Sequence, residues 1–267
     1  MLLNDKVIVV TGGTGVLGQS FVEGIHAAGG TVCILGRNIE KAEQQAAAIQ
    51  QAGGKALAVQ ADVLDEAQLE TAKKLILDTF GRIDGLVNGA GGNMPEGILS
   101  PEEDVFELNL AGMRRVMDLN LWGTVLPTQV FGQALAASAS GSIVNISSMS
   151  SQRVITKVLG YSLGKAAVDC YTQWMSVEMA NRYGDKIRMN AIAPGFFLTE
   201  QNRRLLTNED GSYTERGNLV LKQTPYKRFG TPEELVGALV WLLSDASKFV
   251  TGTIINVDGG FSVFSGV

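Results

Sequence analysis

The stretch Val7-Ile8-Val9-Val10-Thr11-Gly12-Gly13-Thr14-Gly15-Val16-Leu17-Gly18 decides the fold. Its apolar first half predicts a short buried strand over Val7–Thr11, and Gln19–Ala28 behind it has the composition of a helix. The glycines between them permit a tight turn and let the backbone approach a pyrophosphate at the helix N-terminus. Glycines also cap and connect other elements, so it is the position after an opening strand that favours a dinucleotide site. The candidate contacts are Gly12, Thr14, Gly15, Val16, Leu17 and Gly18.

Beyond this turn, apolar runs of strand length alternate with segments of helical spacing. The predicted strands are Thr31–Leu35, Ala56–Gln60, Leu86–Asn88, Gly141–Ile146, Lys186–Ala191 and Thr253–Val257. The predicted helices are Ile39–Ala52, Leu64–Phe80, Leu121–Ala137, Tyr161–Arg182 and Pro232–Leu243, the last with Thr231 as N-cap. In Leu64–Phe80 one apolar stripe is expected to comprise Leu64, Leu69, Ala72, Leu75, Ile76 and Phe80. The alternation predicts an α/β protein with a single Rossmann-type, doubly wound parallel sheet of about seven strands and helices on both faces.

Two connections are too long for ordinary loops. Asn93–Asp118 follows the fourth predicted strand, and Phe196–Gly230 follows the sixth. Both leave the carboxyl ends of strands, where ligands bind in such sheets. We therefore expect one domain over residues 1–267, with a substrate lid at about 196–230.

Composition excludes several classes of function. The net charge of −5 and the lack of a Lys/Arg block argue against nucleic acid binding. No apolar run approaches a membrane span and no secretory signal is evident, so we expect a cytoplasmic protein without a membrane partner. Cys33 and Cys170 are expected to be two buried free thiols. His26 is the single histidine, which argues against Ser-His-Asp hydrolysis and predicts no metal site.

The end of the second predicted strand bears on the choice of coenzyme. Gly36 stands where an acidic residue would hold the ribose 2′-hydroxyl of NAD, and it leaves room for a 2′-phosphate. Arg37 supplies a guanidinium that can bind that phosphate, which favours NADP(H), although it could be a solvated loop charge. Asp62 either accepts a hydrogen bond from the adenine amine or caps the helix predicted to start at Leu64.

Tyr161 and Lys165 are four residues apart, which places the phenol and the ammonium on one helix face. A cation beside a phenol lowers the pKa of the phenol, and such a tyrosine can exchange a proton with an alcohol near neutral pH. Ser148 lies thirteen residues upstream and offers a second hydroxyl. Hydride transfer to a ketone builds negative charge on oxygen, and two hydroxyl donors meet that demand without a metal.

Together these landmarks resemble the short-chain dehydrogenase/reductase family over nearly the whole chain. The shared features are the turn at Gly12–Gly18, Asp62-Val63, Asn88-Gly89-Ala90-Gly91, Asn120, Ser148, Tyr161 with Lys165, Pro194-Gly195 and Val257-Asp258-Gly259-Gly260. The chain departs from the common pattern at Val16, where a glycine is usual, and at Gly89, where an asparagine is usual. Asn88 and Asn120 are also further apart than usual, which indicates an insertion near Gly97–Gly112.

The resemblance implies a role for each matching residue. Tyr161 would be the general acid/base, Ser148 would polarise the carbonyl, and Lys165 would hold the nicotinamide ribose. Asn120 would lie at a helix kink and anchor a water for proton relay. The remaining implied contacts of NAD(H) or NADP(H) are Arg37, Asn38, Asp62, Val63, Asn88, Gly89, Ala90, Gly91, Pro194, Gly195, Phe197 and Thr199. The family is usually homotetrameric, which implies the same assembly here.

Four further stretches resemble the D-mannonate oxidoreductase (fructuronate reductase) branch of the family: 88–93, 149–157, 194–203 and 259–267. This implies reduction of D-fructuronate, a keto-sugar acid, to D-mannonate, and it favours NAD(H) over the NADP(H) suggested by Arg37. Candidate contacts of the sugar acid are Asn93, Arg153, Lys157, Gln201, Asn202 and Arg203.

Other functions stay open on the sequence. The chain could be a gluconate 5-dehydrogenase, a 3-oxoacyl-carrier-protein reductase, or a nucleotide-binding sensor or scaffold without catalysis. The apolar tail Phe261–Val267 suits either a subunit contact or a cover over the chain's own pocket.

Overall fold

The computed structural model describes residues 3–100, 102–199, 203 and 205–266, and a seven-stranded sheet forms its centre. The strands are β1 Val7–Thr11, β2 Thr31–Gly36, β3 Ala56–Gln60, β4 Gly85–Asn88, β5 Gly141–Ile146, β6 Ile187–Pro194 and β7 Ile254–Val257. Their order across the sheet is β3-β2-β1-β4-β5-β6-β7, and every neighbouring pair is parallel. The predicted doubly wound α/β fold is therefore confirmed.

Helices connect these strands. They are α1 Val16–Ala27, α2 Ile39–Gln51, α3 Glu66–Phe80, α4 Leu110–Met117, α5 Gly123–Ala136, α6 Leu159–Tyr183, α7 Glu215–Gln223 and α8 Val236–Leu243. Strand β1 pairs with β2 on one side and β4 on the other, so the winding reverses between β1 and β4. A crevice opens outside the carboxyl ends of the strands at such a reversal, and ligands bind there.

Both faces of the sheet are buried, as a parallel sheet requires. Val10 of β1 belongs to the buried cluster of one face, together with Phe21 and Leu239. Val9, one residue earlier, belongs to the cluster of the other face together with Phe131. Because side chains alternate along a strand, the continuous apolar run of β1 supplies both cores.

The apolar stripe predicted for α3 is only partly correct. Of the predicted stripe, Leu69, Ala72 and Ile76 are buried in the core and the half-buried Phe80 packs against it. Leu64 is 43% exposed because the helix begins at Glu66, after the Asp65 N-cap, whose Oδ1 accepts a hydrogen bond of 3.1 Å from Gln68 N. Leu75 is 44% exposed because its spacing from Leu69 places it about 120° around the helix, beside the buried face and not on it.

The first long connection contains a helix that the sequence did not predict. Helix α4 begins after Asn109, whose Oδ1 accepts a hydrogen bond of 2.9 Å from Gly112 N. It continues through a π-helical turn at Asp118–Trp122 into α5. Gly112 weakens the helical signal, but it is required because a Cβ there would lie 2.1 Å from the Glu96 carbonyl oxygen. The predicted helix start at Leu121 was therefore wrong.

The segment 196–230 is also structured in its described part. Helix α7 is capped by Thr214, whose Oγ1 accepts a hydrogen bond of 3.1 Å from Gly217 N. Leu206, Val220 and Phe229 form a small buried cluster of their own. The segment is joined at its base by a parallel bridge between Phe197 and Gly230.

The two cysteines differ. Cys33 is buried in β2, and burial raises the pKa of its thiol. Cys170 is exposed on α6, so the prediction of two buried thiols was wrong for this residue. Across the described residues, every helix is too short or too polar to cross a bilayer.

Candidate active site

The glycine turn closes tightly against the loop after β4. Gly12 has φ +65°, and a Cβ there would lie 2.8 Å from the backbone of Ala90. A Cβ on Gly18 would lie 2.1 Å from the Gly12 carbonyl oxygen. Larger residues at these two positions would push the turn, the first helix and the β4 loop apart.

Thr11 fixes this arrangement, and the sequence analysis missed it. Its Oγ1 accepts hydrogen bonds from the backbone N–H groups of Gly89 at 3.1 Å and Ala90 at 3.2 Å. The same hydroxyl donates to the Val87 carbonyl oxygen at 3.3 Å. A hydroxyl residue at the end of an otherwise apolar strand was the available signal.

The resulting cleft fits a nicotinamide dinucleotide. Helix α1 starts at its edge with Gly15 as N-cap, and no side chain caps the first N–H groups of this helix. Uncapped N–H groups at a helix N-terminus are a site for a phosphate anion. The cleft has a volume of about 390 Å³, and we call it the glycine-lined cleft. The predicted coenzyme contacts that line it are Gly12, Thr14, Gly15, Val16, Leu17, Gly18, Arg37, Asp62, Val63, Gly89, Ala90, Gly91, Tyr161, Lys165, Pro194, Gly195, Phe197 and Thr199.

Two predicted coenzyme contacts lie elsewhere. Asn38 caps α2, because its Oδ1 accepts a hydrogen bond of 3.0 Å from Lys41 N. Asn88 is buried behind the glycine-lined cleft, where its Nδ2 donates to Thr128 Oγ1 at 2.9 Å and Asn145 Oδ1 at 2.8 Å. Both asparagines therefore support the walls of the cleft without lining it.

The adenosine end of the cleft includes Gly36. A Cβ on Gly36 would lie 2.9 Å from Thr14 Oγ1, so a larger residue there would press on the glycine turn. Arg37 next to it is exposed and lines the cleft. Asp62 lines the cleft as well, and its Oδ1 accepts a hydrogen bond of 3.0 Å from Leu64 N. Asp65, and not Asp62, is the N-cap of α3.

Ser148 and Tyr161 come from different elements but meet at one wall. Ser148 follows β5 and caps a short 3₁₀ turn, in which its Oγ accepts a hydrogen bond of 3.1 Å from Ser150 N. Tyr161 lies in the first turn of α6. Burial raises the pKa of the Tyr161 phenol, and a hydrogen bond with Ser148 opposes that shift. The phenol is therefore held in its protonated form at neutral pH.

Lys165 lies one helical turn further and is 3% exposed. Its Nζ is 5.7 Å from the centroid of the Tyr161 ring and donates a hydrogen bond of 2.7 Å to the Ile146 carbonyl oxygen. Burial lowers the pKa of Lys165 to about 8, and the nearby Asp169 carboxylate opposes this. In the chain alone, burial raises the pKa of Tyr161 above its ordinary value, so the net lowering predicted at the phenol is not found.

Asp169 lies near Lys165 and is hydrogen-bonded to the loop after β5, residues 147–151, which we call the serine loop. It was not selected from the sequence. Its carboxylate accepts hydrogen bonds from Ser147 Oγ and, at 2.5 Å, from Ser151 Oγ. Burial raises the pKa of Asp169, whereas these hydrogen bonds and Lys165 lower it. Its position four residues after Lys165, on the same face of α6, was the signal available in the sequence.

Asn120 lies inside the π-helical turn and is fully buried. Its Nδ2 donates to the carbonyl oxygens of Val116 and Gly92, both at 2.7 Å, and its Oδ1 accepts from Gly92 N at 3.1 Å. A Cβ on Gly91 would lie 2.8 Å from Asn120 Oδ1 and 3.1 Å from Lys165 Nζ. The irregular turn therefore brings Asn120 beside Lys165, where the resemblance placed a helix kink.

A second cavity of about 720 Å³ adjoins the glycine-lined cleft. Ser148 and Tyr161 line both spaces, as do residues of the β4 and β6 loops. Of the predicted substrate contacts, Asn93 and Lys157 line the second cavity. Gln201 and Asn202 lie outside the described residues. The lining also includes Arg216 of α7, which the sequence analysis did not select because the segment around it carried no motif.

Arg153 and Arg203 are placed differently from the prediction. Neither is among the described residues that line the second cavity, and both are exposed. Arg153 Nε donates a hydrogen bond of 2.6 Å to the Ser262 carbonyl oxygen, so it ties the serine loop to the C-terminal tail. The ring of Phe261 lies 5.3 Å from that of Phe196, which lines both spaces. Of the two roles considered for the tail, the contact of Phe261 supports a cover over the chain's own pocket.

The chain is similar to known proteins over nearly its whole length. A family model described as enoyl-(acyl carrier protein) reductase matches residues 14–262. UxuB of Bacillus subtilis (strain 168), an oxidoreductase without an assigned activity, is 45% identical over 274 residues, covering 99% of this chain and 98% of UxuB.

Two solved structures carry coenzymes. One, from Haemophilus influenza, is provisionally assigned as a D-mannonate oxidoreductase and holds NAD; it is 39% identical with a TM-score of 0.91, covering 100% of this chain and 98% of that one. The other is a gluconate 5-dehydrogenase from Burkholderia cenocepacia J2315 with NADP and tartrate, 32% identical with a TM-score of 0.84, covering 98% and 96%. With the parallel sheet and the Ser148, Tyr161 and Lys165 wall, these matches show that the chain is an NAD(P)-dependent oxidoreductase of the short-chain dehydrogenase/reductase family.

Proposed function

We propose that the protein reduces the keto group of a sugar acid, converting D-fructuronate to D-mannonate with a nicotinamide coenzyme. The observation that carries the proposal is the shared wall at Ser148 and Tyr161, which faces the glycine-lined cleft on one side and the second cavity on the other. The NAD-bound relative provisionally assigned as a D-mannonate oxidoreductase supports the choice of substrate.

The residues at this wall suit reduction of a ketone. The coenzyme, when bound, supplies the hydride that reduces the carbonyl carbon. Burial keeps the Tyr161 phenol protonated at neutral pH, so it can donate its proton to the carbonyl oxygen as charge develops there. Ser148 provides a second hydroxyl donor to the same oxygen. At a pH below its pKa of about 8, Lys165 carries a buried ammonium. This positive charge stabilises negative charge on the Tyr161 oxygen after proton transfer.

The coenzyme would be held mainly by backbone. Its diphosphate would lie on the N-terminus of α1, and Asp62 and Arg37 would flank the adenosine. We propose that both NAD(H) and NADP(H) bind. Arg37 would add affinity for the 2′-phosphate, and no acid at position 36 repels it. The relatives with NAD and with NADP support both alternatives.

Assembly and location stay predictions. Helix α6 presents Leu163, Ala167, Cys170, Trp174 and Val177 at alternating spacings of four and three residues, and Trp174 and Val177 are 61% and 59% exposed. An apolar seam of that spacing suits packing against a second helix, so we propose a homotetramer formed in part through α6. We also propose that 196–230 is the substrate lid of a single domain, because α7 contributes to the second cavity. A cytoplasmic location is supported by the free thiols of Cys33 and Cys170.

A gluconate 5-dehydrogenase activity is the second candidate, supported by the relative that holds NADP and tartrate, a hydroxy acid. A panel separates the two: D-fructuronate, 5-keto-D-gluconate and a 3-oxoacyl thioester are each offered with NADH and with NADPH while coenzyme oxidation is followed. We expect the highest kcat/KM with D-fructuronate. A higher value for 5-keto-D-gluconate or the thioester would replace the proposal, and turnover of none of them would favour a nucleotide-binding sensor.

A further inference from the structure

The second cavity has an uneven charge. Among the described residues that line it, two carry a positive charge, Lys157 and Arg216, and none carries a carboxylate. Ser148 and Tyr161 line the same cavity, so the cations and the reacting hydroxyls border one space. A cleft lined by one sign of charge concentrates ligands of the opposite sign.

The two cations are not equivalent. Lys157 is exposed and lies close enough to Glu102 to interact electrostatically with it. Arg216 is half-buried, and none of the ion pairs within the described part of the chain involves it. Arg216 also lies in the first turn of α7, where the helix dipole disfavours a cation. A guanidinium kept at such a position, with no carboxylate paired to it in the part of the chain that the structure describes, points to an anion that arrives from outside.

The backbone around Arg216 is firmly held. Thr214, two residues earlier, caps α7 and donates its hydroxyl to the Leu205 carbonyl oxygen at 2.7 Å. A Cβ on Gly217, one residue later, would lie 2.3 Å from the Leu206 carbonyl oxygen, so α7 is pressed against the preceding segment. Because these contacts fix the first turn of α7, less entropy is lost when Arg216 binds a ligand.

We propose that Arg216 binds the carboxylate of the substrate and thereby selects keto acids over neutral ketones. The planar guanidinium pairs with a carboxylate through two parallel hydrogen bonds, which fixes the orientation of that end of the molecule. The carbonyl at the other end of the carbon chain then meets Ser148 and Tyr161. This assignment rests on the proposed function, and it replaces Arg153 and Arg203 as the expected carboxylate contacts.

The test compares a keto acid with its uncharged methyl ester. D-Fructuronate and its methyl ester are reduced by the parent protein, Arg216→Ala, Arg216→Lys and Lys222→Ala. Lys222 is an exposed cation on the same helix and does not line the second cavity in the described structure, so its variant removes equal charge elsewhere. We expect Arg216→Ala to lower kcat/KM for the acid about 10- to 100-fold, mainly through KM, and to change the ester less than about threefold. Arg216→Lys should restore part of the loss, and Lys222→Ala should resemble the parent.

A second readout does not depend on turnover. Thermal stabilisation of the coenzyme-loaded protein is measured with D-mannonate and with D-mannitol, which lacks the carboxylate. Stabilisation by D-mannonate alone, lost in Arg216→Ala and kept in Lys222→Ala, supports the assignment. Equal losses for acid and ester in Arg216→Ala, or unchanged preference for the acid, would overturn it.

Failure of the assignment can be told apart from failure of the proposed substrate. If D-fructuronate is not reduced but another keto acid is preferred over its ester in an Arg216-dependent way, the substrate proposal is wrong and Arg216 still binds carboxylate. If D-fructuronate is reduced efficiently and Arg216→Ala leaves its KM unchanged, the proposed function stands and the assignment of Arg216 is wrong.

Discussion

The glycine-lined cleft and the second cavity share Ser148 and Tyr161, but their walls are made differently. In the cleft, backbone packs on backbone: Gly12 lies against Ala90, and no side chain caps the first N–H groups of α1. In the second cavity, side chains from distant segments converge, among them Met149 after β5 and Arg216 of α7. A dinucleotide diphosphate can be held by backbone groups common to many proteins, whereas a substrate must be recognised by side chains that are particular to one.

This difference predicts different sensitivities to substitution. The glycine-lined cleft should lose coenzyme affinity when its backbone segments are pushed apart. The second cavity should change its substrate preference when one side chain is lost. Substitutions in the wall that the two spaces share should lower the rate of the chemical step without changing the binding of coenzyme or substrate.

The largest effect is expected at the shared wall. Tyr161→Phe removes the proton donor and should lower kcat for reduction about 10²- to 10⁴-fold. Coenzyme affinity, measured by quenching of protein fluorescence, should stay within about twofold because the ring remains in place. Tyr171→Phe, which removes a phenol hydrogen-bonded to Gln129 outside both spaces, is the matched control. Retention of more than a tenth of the parent kcat in Tyr161→Phe would mean that another group donates the proton.

The second largest effect is expected when the glycine-lined cleft is disrupted. Gly12→Ala places a Cβ at positive φ, 2.8 Å from the Ala90 backbone, and should cost about 1 to 3 kcal/mol of stability together with most of the coenzyme affinity. Gly132→Ala in α5 is the control, because a Cβ there meets nothing within 4 Å and a helical alanine adds stability. Chemical denaturation and coenzyme titration check both variants. Normal coenzyme affinity in Gly12→Ala would contradict a backbone-built cleft.

A smaller effect concerns pH. The Lys165 ammonium has a pKa of about 8, so kcat/KM for reduction should fall as pH rises through about 8 and that charge is lost. The Asp169 carboxylate raises the pKa of Lys165, so Asp169→Asn should lower it and move the falling limb of the profile to lower pH. Asp78→Asn, which alters an exposed pair with Lys74, should leave the profile in place. A limb that moves to higher pH in Asp169→Asn would refute this coupling.

The smallest expected effect lies at the adenosine end. Arg37 is exposed, so its attraction for a 2′-phosphate is screened by solvent. Arg37→Ala should weaken NADPH binding about 3- to 10-fold and leave NADH binding unchanged. Isothermal titration with both coenzymes at two salt concentrations measures this. Equal weakening of NADH and NADPH would assign Arg37 to the shape of the turn and not to phosphate recognition.

The same division explains what could be predicted from the sequence. The turn at Gly12–Gly18 and the alternation of strands and helices along the chain follow from short local patterns, since steric limits on backbone act over a few residues. Thr11 was missed because its hydroxyl binds the loop after β4, where its partner Gly89 lies 78 residues further along the chain. Arg216 was missed for a related reason, since neither spacing nor composition reports which distant side chains a fold brings together, whereas Asp169 did have a local signal in its spacing of four residues from Lys165.

Corrections to the predicted elements have local causes. Helix α4 was not expected because Gly112 disfavours a helix, yet close approach to the Glu96 carbonyl makes glycine necessary there. Gly36 likewise packs against another segment, because a Cβ there would lie 2.9 Å from Thr14 Oγ1.

The most direct measurement of the central claim follows the hydride itself. The protein is given D-fructuronate with reduced nicotinamide coenzyme that carries deuterium at the transferable position, and D-mannonate is analysed by mass spectrometry. The account predicts one deuterium on the former carbonyl carbon in the parent protein, and about 10²- to 10⁴-fold less labelled product with Tyr161→Phe over the same interval. Product without deuterium, or labelled product formed equally fast by Tyr161→Phe, would contradict it.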